Sequence, residues 1–395
     1  MKFLLAPLNW GLGHASRCVP LVQRFLNEGH EVVLGGDGES LTLLRKHFPQ
    51  LRYVRLAPLT LRYGAGNSQV WAMLKALPKL ILWSIKDHAL LQALLREEHF
   101  DRIISDNRFG LFISNRRSRS NSVAVQQRSV YITHQLHILF PRGWRWLEPL
   151  AERLHARIMR RFDEVWVPDY EDFDQSLAGE LSHPNHQSPI TKHLTYIGPL
   201  SRFSYSEAVL QPKAVLQRSG LIAKGGHYDI VVVLSGLEPH RSLLEQEIIR
   251  RYTNNQSPIT NHQSPFPPPS VLIVQGRPGA PGTTVRRGNI TLVPSLGDDE
   301  LAAALIGARH IIARSGYSTI MDLHALGLLH HQSQITNHQL ELLPTPGQPE
   351  QEYLAERGKE LRVERGKGKG VTGYGLPVTG NERNKVKRKV KNNNL

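Results

Sequence analysis

The chain has 395 residues, 40% hydrophobic and 21% charged, enough for roughly two globular domains, which excludes a peptide, a collagen or a wholly disordered protein. Its single cysteine, Cys18, excludes a disulfide framework and an all-protein CxxC-type zinc site, and fits a reducing compartment. The net charge of +15 invites a nucleic-acid or anionic-membrane partner, but twelve basic residues from Arg357 onward stand against only Glu360, Glu364 and Glu382, so most of the excess belongs to a tail.

The start MKFLLAPLNW has no signal-peptide h-region and no small-residue cleavage site, so a cytoplasmic location is expected. Lys2 to Leu8 predicts a strand, Ala15 to Gly29 a helix with apolar Val19, Leu21, Val22, Phe25 and Leu26, and Glu31 to Gly35 a second strand, one βαβ unit. Further strands are expected at Arg52 to Leu56, Arg102 to Ser105, Ser129 to Thr133 and Glu164 to Val167, with helices at Gln69 to Glu98 and Trp144 to Arg161. Gly35-Gly36-Asp37-Gly38 reads as a turn. After a polar stretch from Ser201 to Tyr228 the pattern restarts. Strands are predicted at Asp229 to Ser235, Ser270 to Gln275, Asn289 to Pro294 and His310 to Ala313, and helices at Glu238 to Arg251 and Asp298 to Ala308. The fold class is α/β, two Rossmann-like doubly wound domains across a cleft: 1–200, a linker 201–228, 229–364, then a disordered basic tail 365–395 that argues only weakly for nucleic acid.

Three polar segments repeat one another, at Asn185 to His193, Asn255 to Pro265 and His331 to Gln339, each just before a predicted strand, and read as one low-complexity element inserted into three surface loops. Their histidines lack companion carboxylates or cysteines, so no metal site is predicted there. Arg116 to Arg128 looks like another polar insertion.

Chemistry concentrates where strands run into helices. In Asn9-Trp-Gly-Leu-Gly-His-Ala-Ser16, Gly11 and Gly13 permit close backbone approach, and the helix start offers N–H donors to an anion. The loop lacks the third glycine of a dinucleotide fingerprint, and no cofactor is predicted. His14 at a helix N-terminus has its charged form disfavoured, as a general base requires, though a capping histidine is the plainer alternative. Arg314-Ser-Gly-Tyr-Ser-Thr319 again joins a strand to a helix, where Ser315, Gly316, Ser318 and Thr319 supply donors for a diphosphate. Asp322, one turn on, suits the two hydroxyls of a ribose, and Gln348, Glu350 and Gln351 suit sugar hydroxyls.

The segments GLGHASR, RSGYSTIMDL and PTPGQPEQEYLAE, in that order over roughly residues 1 to 360, resemble GT-B glycosyltransferases. The nearest likeness is to the family 28 group that includes the peptidoglycan N-acetylglucosaminyltransferase, along with bacterial proteins carrying Ser105-Asp-Asn-Arg-Phe-Gly110 and Tyr196-Ile-Gly-Pro-Leu200. The resemblance implies an acceptor-binding first domain, with Asn9 and His134 on the acceptor side, and a second domain binding a nucleotide sugar, UDP by preference, with Ser235 and Gly236 near the cleft and Arg314 in the donor segment. It implies direct inverting displacement without an essential divalent ion, although one Asp-x-Asp, Asp172-Phe-Asp174, occurs. Asp106 is then a second candidate base, an orienter of His14, or a strand-end aspartate capping a turn, and His134 is an acceptor-side group or a packed histidine. The aromatic-rich run Val70 to Trp83, with Lys75 and Lys79, and the basic helix from Arg142 to Arg161 fit either core and solvent or a membrane interface meeting a lipid-linked acceptor. Beyond Glu364 a polar tail replaces the helices that normally close this family. The alternatives are a nucleotide-sugar hydrolase or epimerase of the same architecture, or a catalytically weakened binding protein.

Overall fold

A strand that is apolar at every position has to be covered on both faces, and the central strands here are. The computed structural model describes residues 1–59, 69–113, 127–183, 194–209, 211–219, 227–253, 268–280, 282–329 and 338–364; the first two repeat copies, nearly all of the third, most of the 116–128 segment and the tail lie outside these residues.

In the first sheet, β1 (Lys2–Pro7) pairs in parallel with β2 (Glu31–Gly36) on one side and β4 (Arg102–Asp106) on the other. With β3 (Tyr53–Arg55), β5 (Arg128–Ile132), β6 (Glu164–Val167) and β7 (Leu194–Tyr196) the order is β3-β2-β1-β4-β5-β6-β7, so the chain reverses its direction of growth between β1 and β4. Alternation along β1 divides the core. Phe3 and Leu5 pack with α1 (Gly13–Asn27) and α2 (Gly38–His47), whereas Leu4 and Ala6 pack under Leu91 of α3 (Gln69–Glu97) and Phe100.

After α4 (Glu148–Met159) and α5 (Pro212–Ser219) comes a second sheet, β10-β11-β9-β8-β12-β13, built from β8 (Ile230–Val233), β9 (Val271–Val274), β10 (Val285–Arg287), β11 (Ile290–Val293), β12 (His310–Arg314) and β13 (Gln339–Leu343). Only β10 is antiparallel among these pairings, and growth reverses between β8 and β12. α6 (His240–Thr253) covers one face through Leu244, Ile248 and Tyr252; α7 (Asp298–Gly307) and α8 (Tyr317–Ala325) cover the other. The main apolar cluster continues from Val22 of α1 into Leu305 of α7 and Ile320 of α8, so the two halves share buried surface.

The predicted strands and long helices are present within a residue or two, and among the described residues three further strands or α-helices appear, besides short 3₁₀ turns. The Gly-Gly-Asp-Gly run starts α2, the polar stretch contains α5, and β10 is an exposed edge strand. The helix expected from Trp144 opens as a 3₁₀ turn (Arg142–Leu147), becoming α-helical at Glu148 just ahead of Pro149. α9 (Pro349–Glu364) returns to the first half: Tyr353 Oη accepts from the Glu180 amide (3.0 Å) and Arg357 Nη2 donates to the Ser176 carbonyl (3.1 Å), so contact across the halves is made before the tail begins.

Candidate active site

In doubly wound sheets ligands bind beyond the strand ends where strand order reverses. Here the two reversal points face each other. The β1–α1 loop carries Gly11 at φ +79 and the β8–α6 loop carries Gly236 at φ +93, a left-handed conformation that glycine adopts without strain. A methyl added to Gly13 would stand 2.8 Å from Ser318 Oγ, and that hydroxyl donates to the Gly13 carbonyl at 2.9 Å, so the start of α1 touches the start of α8. Between the halves lies a cavity of about 930 Å³ whose walls include His14, His134, Ser235, Thr319, Asp322 and Gln348.

His14 and Arg17 line it, and Asp106 lies buried behind them. His14 and Arg17 are three residues apart on α1 and share a helix face; Asp106 ends β4, the neighbouring strand. Arg17 Nε donates to Asp106 Oδ2 at 2.6 Å and Arg17 Nη2 to Oδ1, while His14 Nδ1 lies 2.9 Å from Oδ1. Arg17 Nη2 is also 2.9 Å from His14 Nδ1. In the tautomer in which Nδ1–H donates to Asp106, the lone pair lies on Nε2; Arg17 Nη2, which only donates, then bonds Asp106 and makes no hydrogen bond to Nδ1. Burial alone would raise the Asp106 carboxyl, but Arg17 and His14 outweigh it and hold it well below the usual carboxylate range. Burial pushes His14 below its ordinary value and the Arg17 charge adds to this, against the pull of Asp106. The imidazole is therefore unprotonated at neutral pH, with its orientation fixed by a buried carboxylate.

His134 follows β5. Its Nδ1 accepts from Arg17 Nη1 at 3.1 Å, its Nε2–H faces Glu350 Oε1 at 2.8 Å, and its ring stacks on Tyr317 with centroids 4.3 Å apart. Glu350 also accepts from Gln135 Nε2. Burial raises the Glu350 carboxyl, but its contacts with His134 prevail and leave it below the ordinary value. Residues expected on opposite sides of the cleft thus meet.

Helix starts set the electrostatics. α8 begins at Gly316, which supplies no side-chain cap, and has no acid in its first turn; α1 begins without a cap or an acid as well. At α6, Glu238 Oε2 accepts from the Ser242 amide at 3.2 Å, and α7 opens with Asp298, Asp299 and Glu300. Unsatisfied N–H groups attract anions at the first pair, whereas carboxylates already meet them at the second.

Other predicted residues have structural partners. Arg314 donates to the carbonyls of Pro344 (2.9 Å) and His240 (3.0 Å), and Ser315 Oγ donates to the carbonyl of Gln351 (2.7 Å), so both brace the loops behind the cavity. Asn9 Nδ2 donates to Asp37 (3.1 Å) and its Oδ1 accepts from the Ser40 amide (3.3 Å), pinning the start of α2; it borders a smaller cavity of about 590 Å³ shared with Gly11 and Gly236. Asp322 accepts from Ser201 Oγ (2.7 Å) and lies 3.4 Å from Arg202 Nε; burial, against Arg202, pushes its carboxyl up to about 6. Gln351 Oε1 accepts from the Thr345 amide at 2.8 Å. Arg17 and Gln135 were not anticipated, although the His-x-x-Arg spacing of the first helix was a usable signal for Arg17.

The wall on the first domain's side is apolar, with Leu77 of α3, Ile138, Phe140, and Leu150 and Leu154 of α4. It continues onto the surface: Leu77, Ile81 and Ile85 are each about half exposed or more at 46%, 54% and 61%, as are Trp146, Leu150 and Leu154 at 72%, 53% and 52%. Both triplets recur every four residues, one stripe on each helical segment.

No family model matches the chain. It is 27% identical over 223 residues to an uncharacterized glycosyltransferase of Methanosarcina acetivorans, covering 52% of this chain and 51% of that protein. It is 26% identical over 221 residues to an uncharacterized glycosyltransferase of Methanosarcina mazei, covering 53% of each. The chain spans about half the length of these curated relatives. Its fold is similar to that of the spinosyn rhamnosyltransferase (TM-score 0.52, 14% identity, 90% of this chain and 84% of that one). It is also similar to the glycotransferase of kitacinnamycin (TM-score 0.50, 12% identity, 99% and 90%). At such identities the likeness establishes the fold, two parallel-sheet α/β domains in the GT-B arrangement.

Proposed function

We propose that the chain transfers a sugar from a nucleotide-sugar donor to an acceptor hydroxyl by a single inverting displacement. The observation that carries this reading is an oriented, unprotonated imidazole, His14, set against a helix start without a carboxylate, α8. In this reading the donor diphosphate lies on the amides of residues 317–319, with Thr319 beside it and the Gly13–Ser318 contact bringing α1 close. His14 Nε2 takes the acceptor hydroxyl proton as oxygen attacks the anomeric carbon, and Asp106 stabilises the imidazolium that forms. The glycosidic bond to the diphosphate breaks, and α8 N–H groups meet the charge released, so the reading needs no metal. Ser235 and Gly236 leave room for the donor at the other strand end, Asp322 takes the ribose hydroxyls once ionised, and Gln348 and Gln351 stand near the sugar. The names of the curated relatives and the fold of the solved glycosyltransferases support glycosyl transfer; UDP, a hexose and a place near family 28 follow from the motif resemblance.

For the acceptor, the apolar wall and the stripes continuing from it favour a lipid-linked alcohol presented at a membrane surface, with Arg142, Arg145, Arg153 and Arg157 beside them for anionic headgroups. Among the described residues no helix is long and apolar enough to cross a membrane. A thermal-shift panel of UDP, dTDP, GDP and their sugars tests the donor: a ligand at 100 times its dissociation constant stabilises by about 2.7 kcal/mol. Transfer to alcohol and glycolipid acceptors then tests the reaction. Silence across the panel sinks the reading, and turnover of donor equal with and without acceptor replaces it with hydrolysis.

A further inference from the structure

We infer that Glu350 is a positioning residue that sets the His14 base from across the cleft, not a ligand of the donor sugar. The inference rests on the reading of His14 above and adds a link between the docking of α9 and the setting of that base. A continuous run of polar contacts leads from His14 to Asp106, from Asp106 to Arg17, from Arg17 to His134 and from His134 to Glu350. The first four belong to the first half and Glu350 to α9, which follows the last strand of the second.

The direction of α9 supplies an independent argument. Glu350, Tyr353 and Arg357 are spaced three and four residues apart and so lie on one helix face. All three bond to the first half: Glu350 to His134 and Gln135, Tyr353 to the Glu180 amide, Arg357 to the Ser176 carbonyl. That face is a docking face, and Glu350 is its first member.

The contacts also determine one another. Because Arg17 only donates, His134 Nδ1 has to accept, and its Nε2–H then needs an acceptor, which Glu350 supplies. Remove Glu350 and that buried N–H loses its partner. The imidazole is then free to turn, Arg17 Nη1 loses its acceptor, and the guanidinium that grips both oxygens of Asp106 is no longer held on its third side. Asp106 fixes the tautomer of His14, so a change at Glu350 reaches the base through side chains that touch no substrate.

The test uses the full chain with 15N-labelled histidine. In the wild type, His14 is expected to resonate as the Nδ1–H tautomer. Glu350→Ala is expected to shift it to a mixture of tautomers, and Glu350→Gln to restore it, since the amide oxygen still accepts from His134. Calorimetry with UDP and a set of UDP-sugars is expected to give affinities within about twofold of wild type for both variants, while transfer falls about 10- to 100-fold in Glu350→Ala, the scale of a small misplacement of a reacting group. A tenfold loss of UDP-sugar affinity with UDP affinity intact would overturn the proposal and make Glu350 a sugar ligand; unchanged His14 resonances in Glu350→Ala would overturn it too. Should Glu350→Ala not fold, His134→Asn breaks the link from the other side and is read in the same way. If the wild type binds no nucleotide or nucleotide sugar, the glycosyltransferase reading fails, and the histidine resonances still decide whether Glu350 acts on His14.

Discussion

The helix starts around the cleft are of two kinds. α1 and α8 meet through Gly13 and Ser318 and have no carboxylate in their first turns; α6 and α7 border the same cavity, yet each has a glutamate on an amide at its start, Glu238 on Ser242 and Glu300 on Gly297. All four present a helix start to the cavity, so position in the fold alone does not choose where an anion lands. Side chains do, and each charge in a first turn counts for roughly 0.3–1 kcal/mol, more when partly buried. What the contrast teaches is that the end of the cleft proposed to take phosphate is set off as much by carboxylates placed elsewhere as by glycines and hydroxyls placed there.

The contrast can be broken or sharpened by substitution. The largest effect is expected at the α1 end, where His14→Ala removes the proposed base: turnover should fall about 10²- to 10⁴-fold with donor affinity nearly intact, measured by steady-state rates beside calorimetry. A loss of affinity in place of rate would mean that His14 binds donor.

Asp322 probes the second turn of α8. Its carboxyl stands at about 6 in the fold against an ordinary 3.8, so the folded chain holds a proton that the unfolded chain releases between those values, and stability falls as pH rises through that window. Two pH units correspond to roughly 3 kcal/mol at 1.36 kcal/mol per unit, an upper figure. Asp322→Asn should therefore raise the melting temperature of the ligand-free protein at pH 7.5 and leave it unchanged near pH 4, while weakening nucleotide binding at the higher pH. A uniform loss of stability at both values would show that the aspartate is a net structural support.

Thr319→Asp turns α8 into a helix start of the α7 kind. Nucleoside diphosphate affinity should drop about tenfold or more, at the upper end of a helix-dipole effect, with unphosphorylated nucleoside unaffected. An equal drop for both ligands would point to a distorted pocket.

The smallest effect is expected at α7. His47 Nε2 meets Asp298 at 2.8 Å, and although burial lowers the imidazole, that carboxylate raises it above its ordinary value. Stability from the pair is fully present below the unfolded value of His47 and is lost as pH rises through the folded one. His47→Ala should cost about 0.5–1 kcal/mol at pH 5.5 and little at pH 8.5, by denaturant titration at each.

Much of this arrangement was legible in the chain. The apolar run Lys2 to Leu8 and the β-branched run Asp229 to Ser235 announced the strands from which each half is wound, and the loops that follow both reach the cleft. α2 was hidden because Gly35-Gly36-Asp37-Gly38 has the composition of a turn, while the fold uses Asp37 to hold buried Arg108 (2.7 Å) and Asn9 at a helix start. β10 was hidden because all three of its residues are exposed, and an edge strand with no buried face has no alternation to read. At the site, His14 and Asp106 were recognisable by residue type at a loop and a strand end, but Arg17 gains its meaning only from a carboxylate 89 positions away. Arg314 and Ser315 sit in a phosphate-like motif and bond to main-chain carbonyls, which no spacing reveals.

A crystal soaked with UDP or dTDP tests the central claim most directly. The account predicts both phosphates within hydrogen-bond distance of the amides of residues 317–319, facing the start of α1. Phosphates bound instead at the start of α6 or α7, or a cleft that takes neither nucleotide at millimolar concentration, would contradict it.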